Sequence, residues 1–435
     1  AEEEESGPNV FSNIKGLAYH NEGEEDPYIT MKDMDEDEQE EVQVFGTDNL
    51  LLVAKTEDDM SNLEVCVFED ESDNLFVHHD FMLPAFPLCL EWLDYRVGRT
   101  AGQQTPGSYV AVGTFEPRIE IWDLDTLDSM YPDLVLGSTD KRQLRKLKGK
   151  PHAEFHTDAV MDLSWNHNVR NLLASSSADT TVKLWDLNTG KCAQSYSHHT
   201  DKVQAVKWHP TEASVMLTGG YDQKVAAFDS RAPDSITWWS TGSDVESLMW
   251  DIHSPSHFYV ATDAGEVRYY DIRQPDSAVF ILAAHDEAVS AMDQHPSVPN
   301  VLVTGSVDQS IKVWSTKDNK PSMVLSRNLD VGSVFAAKFC PDSTMQLAVG
   351  GSQGEYRIWD MSTNAGVRAT FGDASVQASA VVEKPLVGVQ NDDDEGDDDD
   401  DDNNQEAVLR EMHADINSDD DDDDDDDEEM ASDDE

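Results

Sequence analysis

Three units of the sequence place a histidine ahead of an acidic turn residue, a combination that could support proton-transfer chemistry. The pairs are His156 with Asp179, His199 with Asp222, and His285 with Asp308. A histidine, a turn carboxylate and a Ser or Thr can also hydrogen-bond in series and tie the strands of one unit together. Because a carboxylate that fixes a turn recurs from unit to unit while a catalytic one need not, we interpret these residues as a structural network.

The sequence offers little support for an enzyme. P-loop, GxGxxG and HExxH patterns are absent. We therefore expect a protein that is not an enzyme, with no catalytic residue, cofactor, metal site or small-molecule substrate. The four cysteines lie far apart without a CxxC pair, which indicates free thiols in a reducing compartment. No apolar run reaches the length of a membrane span, so no membrane partner is expected.

A basic segment interrupts the acidic chain at residues 141–150. Its six bases are Lys141, Arg142, Arg145, Lys146, Lys148 and Lys150. Lys and Arg neutralise phosphates and release counterions, so such a segment gives RNA affinity without sequence specificity. The alternatives are a nuclear localisation signal and a solvated loop that balances nearby acids. We favour phosphate contact, because dense blocks of like charge usually serve in interactions.

The two ends of the chain are strongly acidic. The net charge is −59, and residues 1–41 hold 15 acids and 2 bases, while residues 391–435 hold 27 acids and 1 base. Such segments cannot pack a core, so we predict disordered or partner-ordered extensions. They serve either as solubilising tails or as mimics of nucleic-acid charge that engage basic proteins. Ser418 and Ser432 precede acids and are candidate phosphorylation sites. The chain starts with Ala1 rather than Met, which leaves room for a preceding segment.

The elements that position these residues follow a repeat with a period in the forties. An aromatic residue, usually followed by Asp, recurs at Trp122, Trp185, Phe228, Tyr270, Trp314 and Trp359. After a first gap of 63 residues, the spacings are 43, 42, 44 and 45. A fixed period of this size in β-rich units is the pattern of a propeller built from four-stranded blades. The long first gap holds an insertion at 125–150, which contains the basic segment.

A second large side chain precedes each of these aromatic residues at a nearly constant distance. The offset is 20 residues in four units, 22 residues in one and 30 residues in another. These partners are Trp165, Trp208, Trp250, Phe339, Met292 and Trp92. Two large side chains at matched depth in every blade would fill the layer between neighbouring sheets, so both sets are predicted to be core residues.

Counting the units gives seven blades. Strand-like runs begin at Val42, in a first blade that lacks an obvious first strand, and recur to about Phe371. We predict an all-β fold, a seven-bladed β-propeller at residues 42–375, with acidic extensions at 1–41 and 376–435. Loops on the faces of a propeller recognise partners. The candidate protein-contact residues in such loops are Arg118, Tyr221, Arg231 and Arg273.

The repeat resembles the WD40 repeat, and several longer segments resemble one family within it. These segments are residues 83–92, 109–113, 119–124, 156–165, 199–204 and 220–225. They are similar to the periodic tryptophan protein 1 family of nucleolar WD40 proteins, over residues 42–371. The resemblance implies a non-catalytic scaffold in large ribosomal subunit assembly and pre-rRNA processing. Its implied partners are pre-rRNA, ribosomal proteins and other assembly factors of the pre-ribosomal particle, and its implied location is the nucleus and nucleolus.

Two alternatives of other classes stay open. The acidic extensions also suit a chromatin adaptor that binds histones. Arg231 and Arg273 each follow an aromatic-Asp pair by two residues, which fits the box found in substrate receptors of cullin-RING ubiquitin ligases. Such an Arg also commonly pairs with the acid of its own repeat, so this second signal is weak.

Overall fold

The computed structural model describes residues 44, 48–98, 106–372 and 385–389, apart from residues 59, 71, 128, 139, 148, 149, 342 and 344. The predicted extension at 1–41 lies outside the described residues, as do Ser418, Ser432 and nearly all of the segment 376–435.

The described residues form seven antiparallel sheets that follow one another along the chain. This confirms the seven-bladed β-propeller, and we number the blades in chain order. Blade 1 contains β1 (Asn49–Glu57), β2 (Met60–Glu69) and β3 (Asn74–Leu83). Blade 2 contains β4 (Pro87–Leu93), β5 (Tyr109–Thr114), β6 (Ile119–Asp123) and β7 (Leu134–Leu136). Blade 3 contains β8 (Val160–Trp165), β9 (Leu172–Ser177), β10 (Val182–Asp186) and β11 (Lys191–Tyr196).

The later blades repeat the same order. Blade 4 contains β12 (Val203–Trp208), β13 (Val215–Gly220), β14 (Lys224–Asp229) and β15 (Ala232–Ser240). Blade 5 contains β16 (Val245–Trp250), β17 (His257–Thr262), β18 (Glu266–Asp271) and β19 (Phe280–Ala283). Blade 6 contains β20 (Val289–Gln294), β21 (Val301–Ser306), β22 (Ile311–Ser315) and β23 (Ser322–Arg327). Blade 7 contains β24 (Val334–Phe339), β25 (Gln346–Gly351) and β26 (Tyr356–Asp360).

Four short helical segments lie wholly within the described residues. They are α1 (Lys141–Leu147), α2 (Ala365–Phe371) and the 3-10 helices Lys317–Asn319 and Met361–Thr363. The N-terminus of α2 is capped by Asn364, whose side chain accepts a hydrogen bond from the Gly366 N–H at 2.9 Å. Val367 of α2 is buried in the core of blades 6 and 7.

The position of a strand within its blade decides its composition. β5 is buried along its whole length because neighbouring blades cover both of its faces, so it reads as an unbroken run of apolar and small residues. The outer strand β11 is largely exposed and carries polar side chains. Successive first strands pack against one another around the centre, from β4 through β8, β12, β16 and β20 to β24.

Blade 1 contributes only its second, third and fourth strands to the described residues. β1 contacts β4, the first strand of blade 2. In later blades, the second strand likewise contacts the first strand of the next blade. At the other end of the chain, Val387 forms a bridge with Ile358 beside β26. Blades 7 and 1 meet where the hydroxyl of Tyr356 donates a hydrogen bond to Glu64 at 2.9 Å.

Strand register defines the two faces. In blade 3, Val160 pairs with Ser177 and Val182 pairs with Ser176, so these residues share one end of the sheet. We call this end, which carries the turns between second and third strands, the upper face. Connections from each blade to the next also lie on the upper face, because antiparallel strands alternate in direction. The connections between third and fourth strands lie on the opposite, lower face.

The predicted aromatic layer is buried, with one exception. The six aromatic residues of the Trp-Asp positions are at most 6% exposed. Five of their six partners are at most 8% exposed, namely Trp165, Trp208, Trp250, Met292 and Phe339. The prediction was wrong for Trp92, which is 49% exposed. The described part of the neighbouring blade 1 has no first strand to cover it.

The cysteines are free thiols. Cys66 is buried between blades 1 and 7, and burial raises the pKa of its thiol to about 11. The other three cysteines are partly buried.

Candidate functional site

The basic segment folds as a short helix, α1, on the upper face between blades 2 and 3. Asp140 caps it, because its Oδ1 accepts a hydrogen bond from the backbone N–H of Arg142 at 2.9 Å. Upstream, Gly137 has a φ of +108°, and a Cβ atom there would lie 3.2 Å from the carbonyl oxygen of Pro117. Glycine therefore allows the chain to leave β7 and pass the β5–β6 turn on its way to the helix.

α1 has an apolar side and a basic side. Leu144 and Leu147 are half-buried against the core that blades 2 and 3 share. A spacing of three residues puts both leucines on the same side of a helix. Arg142, Arg145 and Lys146 are exposed. The helix therefore presents cationic side chains to solvent from a docked platform.

The exposed bases of α1 are free to contact a ligand. Within the described part of the chain, the side chains of Arg142, Arg145, Lys146 and Lys150 form no ion pair. Arg145 and Lys146 lie in the last turn, where the carbonyl end of the helix dipole favours cations. Lys148 and the side chain of Lys141 lie outside the described residues.

The predicted histidine networks are present, and the one in blade 3 is fully buried. His156 Nδ1 lies 3.0 Å from Asp179 Oδ2, and its Nε2 lies 2.7 Å from Ser175 Oγ. Trp185 extends the series, since its Nε1 donates a hydrogen bond to the same Ser175 oxygen at 2.8 Å. Both ring nitrogens of His156 are engaged and the residue is 0% exposed. This histidine therefore holds strands together and meets no substrate.

Blades 4 and 6 repeat the network. The distances are 3.0 Å for His199–Asp222, 2.9 Å for His199–Thr218, 2.9 Å for His285–Asp308 and 2.8 Å for His285–Thr304. In blade 6, the Nε1 of Trp314 donates to Thr304 at 2.9 Å. Blade 4 has Phe228 at the corresponding position, so its network lacks that donor.

Burial and hydrogen bonding set the charges of the blade 3 pair. Burial lowers the pKa of His156, and the hydrogen bond with Asp179 offsets this only in part. Burial alone would raise the pKa of Asp179, but hydrogen bonds from His156, Thr181 and the Thr157 N–H outweigh it and hold the pKa well below its usual range. A neutral imidazole therefore lies against an ionised carboxylate that fixes the turn.

Two of the predicted protein-contact residues lie on the upper face and have local partners. Arg118 Nε lies 3.0 Å from Glu116 and 3.1 Å from Glu120. Tyr221 is half-buried, and burial together with the neighbouring Glu246 raises the pKa of its hydroxyl to about 12. A protein bound at these positions would contact side chains of Arg118 and Tyr221 that neighbouring residues of the blades already hold in place.

The other two, Arg231 and Arg273, lie on the lower face. Each donates to the Asp two residues earlier, Asp229 or Asp271, with a closest distance of 2.7 Å in both cases. Their side chains are 77% and 69% exposed. The structure thus shows the local pairing that such an Arg commonly makes, with the outer side of each guanidinium open to solvent.

Two exposed apolar pairs escaped the sequence interpretation. Phe86 and Phe115 lie on the upper face with ring centroids 5.4 Å apart, and are 48% and 60% exposed. Met130 and Tyr131 lie on the lower face between β6 and β7, and are 81% and 77% exposed. Their only signal in the sequence is their position in connections rather than in strands. The insertion at 125–150 therefore contributes to both faces: the β6–β7 loop below and α1 above.

One short segment also fits an enzyme motif, since residues 350–354 read GGSQG and match the GxSxG pattern. Its context is wrong for a nucleophile elbow, which joins a strand to a helix. Ser352 instead lies in the turn between β25 and β26, where its Oγ accepts a hydrogen bond from the Ser333 N–H at 3.0 Å. Ser352 therefore belongs to a blade turn.

The described residues hold no helix long and apolar enough to cross a membrane. Among the same residues, no cluster of three or more His, Cys, Asp or Glu side chains is arranged to hold a metal ion.

The β-rich blades, their period in the forties and the buried His–Asp pairs define a WD40-repeat propeller protein. A family model described as the N-terminal β-propeller domain of nucleolar protein 10-like proteins matches residues 156–353. A WD repeat-containing protein of Schizosaccharomyces pombe is 46% identical over 377 residues, which cover 85% of this chain and 73% of that protein.

Two named relatives extend the comparison. Periodic tryptophan protein 1 of Saccharomyces cerevisiae is 37% identical over 437 residues, covering 87% of this chain and 75% of that protein. The periodic tryptophan protein 1 homolog of Drosophila melanogaster is 35% identical over 346 residues, covering 78% and 73%. The chain belongs to the periodic tryptophan protein 1 family.

Proposed function

We propose that this protein is a non-catalytic WD40 scaffold in ribosome biogenesis, acting in large ribosomal subunit assembly and pre-rRNA processing in the nucleus and nucleolus. Family membership and the similarity to a nucleolar protein 10-like propeller support this proposal. The engaged and buried histidine networks fit a rigid platform for partners.

The basic side of α1 is the observation that most directly supports RNA binding in this proposal. Arg142, Arg145 and Lys146 face solvent on a capped and docked helix, and within the described residues they have no carboxylate partner. In a chain of net charge −59, general attraction to RNA is unfavourable, so phosphate contact must be local. A fixed group of cations provides such a contact without reading the base sequence.

Proteins of the pre-ribosomal particle are the second class of partner. The exposed pairs Phe86–Phe115 and Met130–Tyr131 offer apolar contacts on opposite faces, and such residues are typical of interface centres. The acidic segments 1–41 and 376–435 would engage basic ribosomal proteins through charge complementarity. Binding to both faces would let the propeller bridge RNA and protein.

Crosslinking in cells tests the proposal. Ultraviolet crosslinks from the wild-type chain should map to pre-rRNA, and the protein should co-sediment with pre-ribosomal particles. Changing Arg142, Arg145 and Lys146 to Ser should remove crosslinks made by α1 while leaving the propeller folded. An unchanged crosslink map would exclude α1 as the RNA contact. Co-sedimentation with nucleosomes instead of pre-ribosomes would favour a histone-binding adaptor over the proposed function.

A further inference from the structure

Trp238 is one of two exposed tryptophans of the chain. It lies on β15, the outer strand of blade 4, and is 36% exposed, while Trp92 on β4 is 49% exposed. The other eight tryptophans are at most 7% exposed. Packing of the blade does not require an aromatic residue at 238, because Trp239 already fills the core between blades 4 and 5. Since exposure of an indole to water is unfavourable, this ring is a candidate contact for a ligand.

Comparison with other blades shows that Trp238 replaces a serine. Two residues before the aromatic of the Trp-Asp position, blades 3 and 6 have a lysine that pairs across the strands with a serine, namely Lys183–Ser195 and Lys312–Ser326. Each lysine donates to a backbone carbonyl of the connection that enters its blade. Blade 4 has Ala226 paired with Trp238 at this position. The small side chain of Ala226 therefore leaves space for the indole where the other blades hold a lysine side chain.

Two neighbours hold the ring of Trp238 in place. The imidazole of His199 meets the indole edge-on, with ring centroids 5.4 Å apart and ring planes at 77°, and His199 is itself fixed by the buried network of blade 4. The ammonium of Lys224 lies 5.8 Å from the centre of the indole ring. Lys224 pairs with Ser240, two residues after Trp238, so the lysine and the ring are diagonal neighbours on the same face of the sheet. A ring that is already held loses little freedom when a flat ligand stacks on it.

The surface around Trp238 is polar and partly cationic. The exposed residues of the connection that enters blade 4 and of the start of β14 with its preceding turn are Ser197, Thr200, Asp201, Lys202, Gln223 and Lys224. Trp238 is the only large apolar side chain of blade 4 that is exposed. The centre of a protein interface would need further apolar residues beside it. A lone exposed aromatic ring next to cations instead matches the platforms on which nucleobases stack.

We propose that Trp238 stacks on a base of single-stranded RNA, with Lys202 and Lys224 contacting the flanking phosphates. The site lies toward the upper face, because Lys224 starts β14 directly after the upper-face turn. His199 places the site at the junction of blades 3 and 4, which is one blade away from α1 at the junction of blades 2 and 3. The inference rests on the proposed function, since it adds a base contact to the phosphate contacts of α1. Stacking tolerates any sequence, because every base has a π-face.

Binding of the purified full-length chain to labelled oligoadenylate tests the stacking contact, with an abasic RNA of the same length as the control ligand. Trp238→Ser introduces the side chain that blades 3 and 6 have at this position. It should weaken oligoadenylate binding about tenfold, while the affinity for abasic RNA and the salt dependence stay unchanged. Changing Lys202 and Lys224 to Ser should lower the magnitude of the salt slope by about 1.4. Trp92→Ser, at the other exposed tryptophan, should bind like the wild type.

Indole fluorescence gives a second measurement. A stacked base quenches indole emission, so saturation with oligoadenylate should quench the wild-type chain more than Trp238→Phe. Thermal unfolding reports whether each variant stays folded.

Three outcomes would overturn the proposal. The first is unchanged oligoadenylate affinity in a folded Trp238→Ser variant while the α1 variant loses affinity, which would leave the proposed function standing without this contact. The second is an equal loss of affinity for oligoadenylate and abasic RNA, because Trp238 would then not act by stacking. The third is failure of the wild-type chain to bind either RNA, which would also remove the RNA-binding part of the proposed function. If Trp238→Ser unfolds the chain, the quenching decides, and equal quenching of the wild type and Trp238→Phe would contradict the stacking contact.

Discussion

His156 Nδ1 lies 3.0 Å from the carboxylate of Asp179, which is 23 residues further along the chain. The same separation and contact recur in His199 with Asp222 and in His285 with Asp308. Each pair joins the connection that enters a blade to the turn between its second and third strands. The upper-face turns of blades 3, 4 and 6 are therefore held by buried polar networks, which rigidify a structure when every member is satisfied.

These networks predict a loss of stability in mild acid. Burial lowers the pKa values of His156 and His285 in the folded chain, so below about pH 6.5 the unfolded chain binds protons that the folded chain does not. The free energy of unfolding should therefore fall as pH drops from about 7 to 5, by up to about 1.4 kcal/mol per pH unit for each histidine. Urea titrations across this range measure the slope. The double variant His156→Gln, His285→Gln should have a shallower slope, and an unchanged slope would contradict the network account.

The hydrogen bond that Trp314 donates predicts that Trp314→Phe and Trp359→Phe differ in their cost in stability. Trp314 Nε1 donates to Thr304, while Trp359 Nε1 has no hydrogen-bond partner within the described residues. The strand register explains why only Trp314 has a partner. Thr304 lies two residues after the strand partner of Trp314, and the equivalent position in blade 7 is Val349. Trp314→Phe should cost about 1 kcal/mol more than Trp359→Phe. Denaturant midpoints test this, and equal costs would show that the Trp314 hydrogen bond adds no stability.

The buried position of Trp185 predicts a large loss of stability when its side chain is removed. It is 1% exposed in the core between blades 2 and 3, so Trp185→Ala should open a cavity and cost about 3–5 kcal/mol. Tyr131→Ala is the matched control, because Tyr131 is 77% exposed and its loss should change stability by no more than about 0.5 kcal/mol. Thermal unfolding of both variants checks the pair. Equal melting temperatures would refute the placement of Trp185 in the core.

Much of the fold could be predicted from the sequence because the repeat is strong. The spacing of Trp185, Phe228, Tyr270, Trp314 and Trp359 predicts the blade count, and paired aromatics predict the buried layer. Trp92 was the exception, because its burial depends on a neighbouring strand rather than on its own unit. The repeat pattern predicts the strands and the core residues within each blade. It does not predict which neighbouring strand covers the edge of that blade.

The candidate site was harder to predict. The basic segment is visible as a run of charge, but its helical form depends on two less obvious signals, the cap at Asp140 and the spacing of Leu144 and Leu147. The exposed pair Phe86–Phe115 could not be told from core residues by type alone, since Phe86 lies in the connection that enters blade 2 and Phe115 lies in the β5–β6 turn.

The salt dependence of RNA binding by the purified full-length chain tests the central claim most directly. Each phosphate contact on single-stranded RNA contributes about 0.7 to the slope of log affinity against log salt concentration. Changing Arg142, Arg145 and Lys146 to Ser should therefore lower the magnitude of the slope by about 2 and weaken binding. The matched control changes Lys191, Lys317 and Lys320, three exposed lysines of the lower face, to Ser. The account predicts a reduced slope for the α1 variant alone, and equal slopes for the two variants would contradict it.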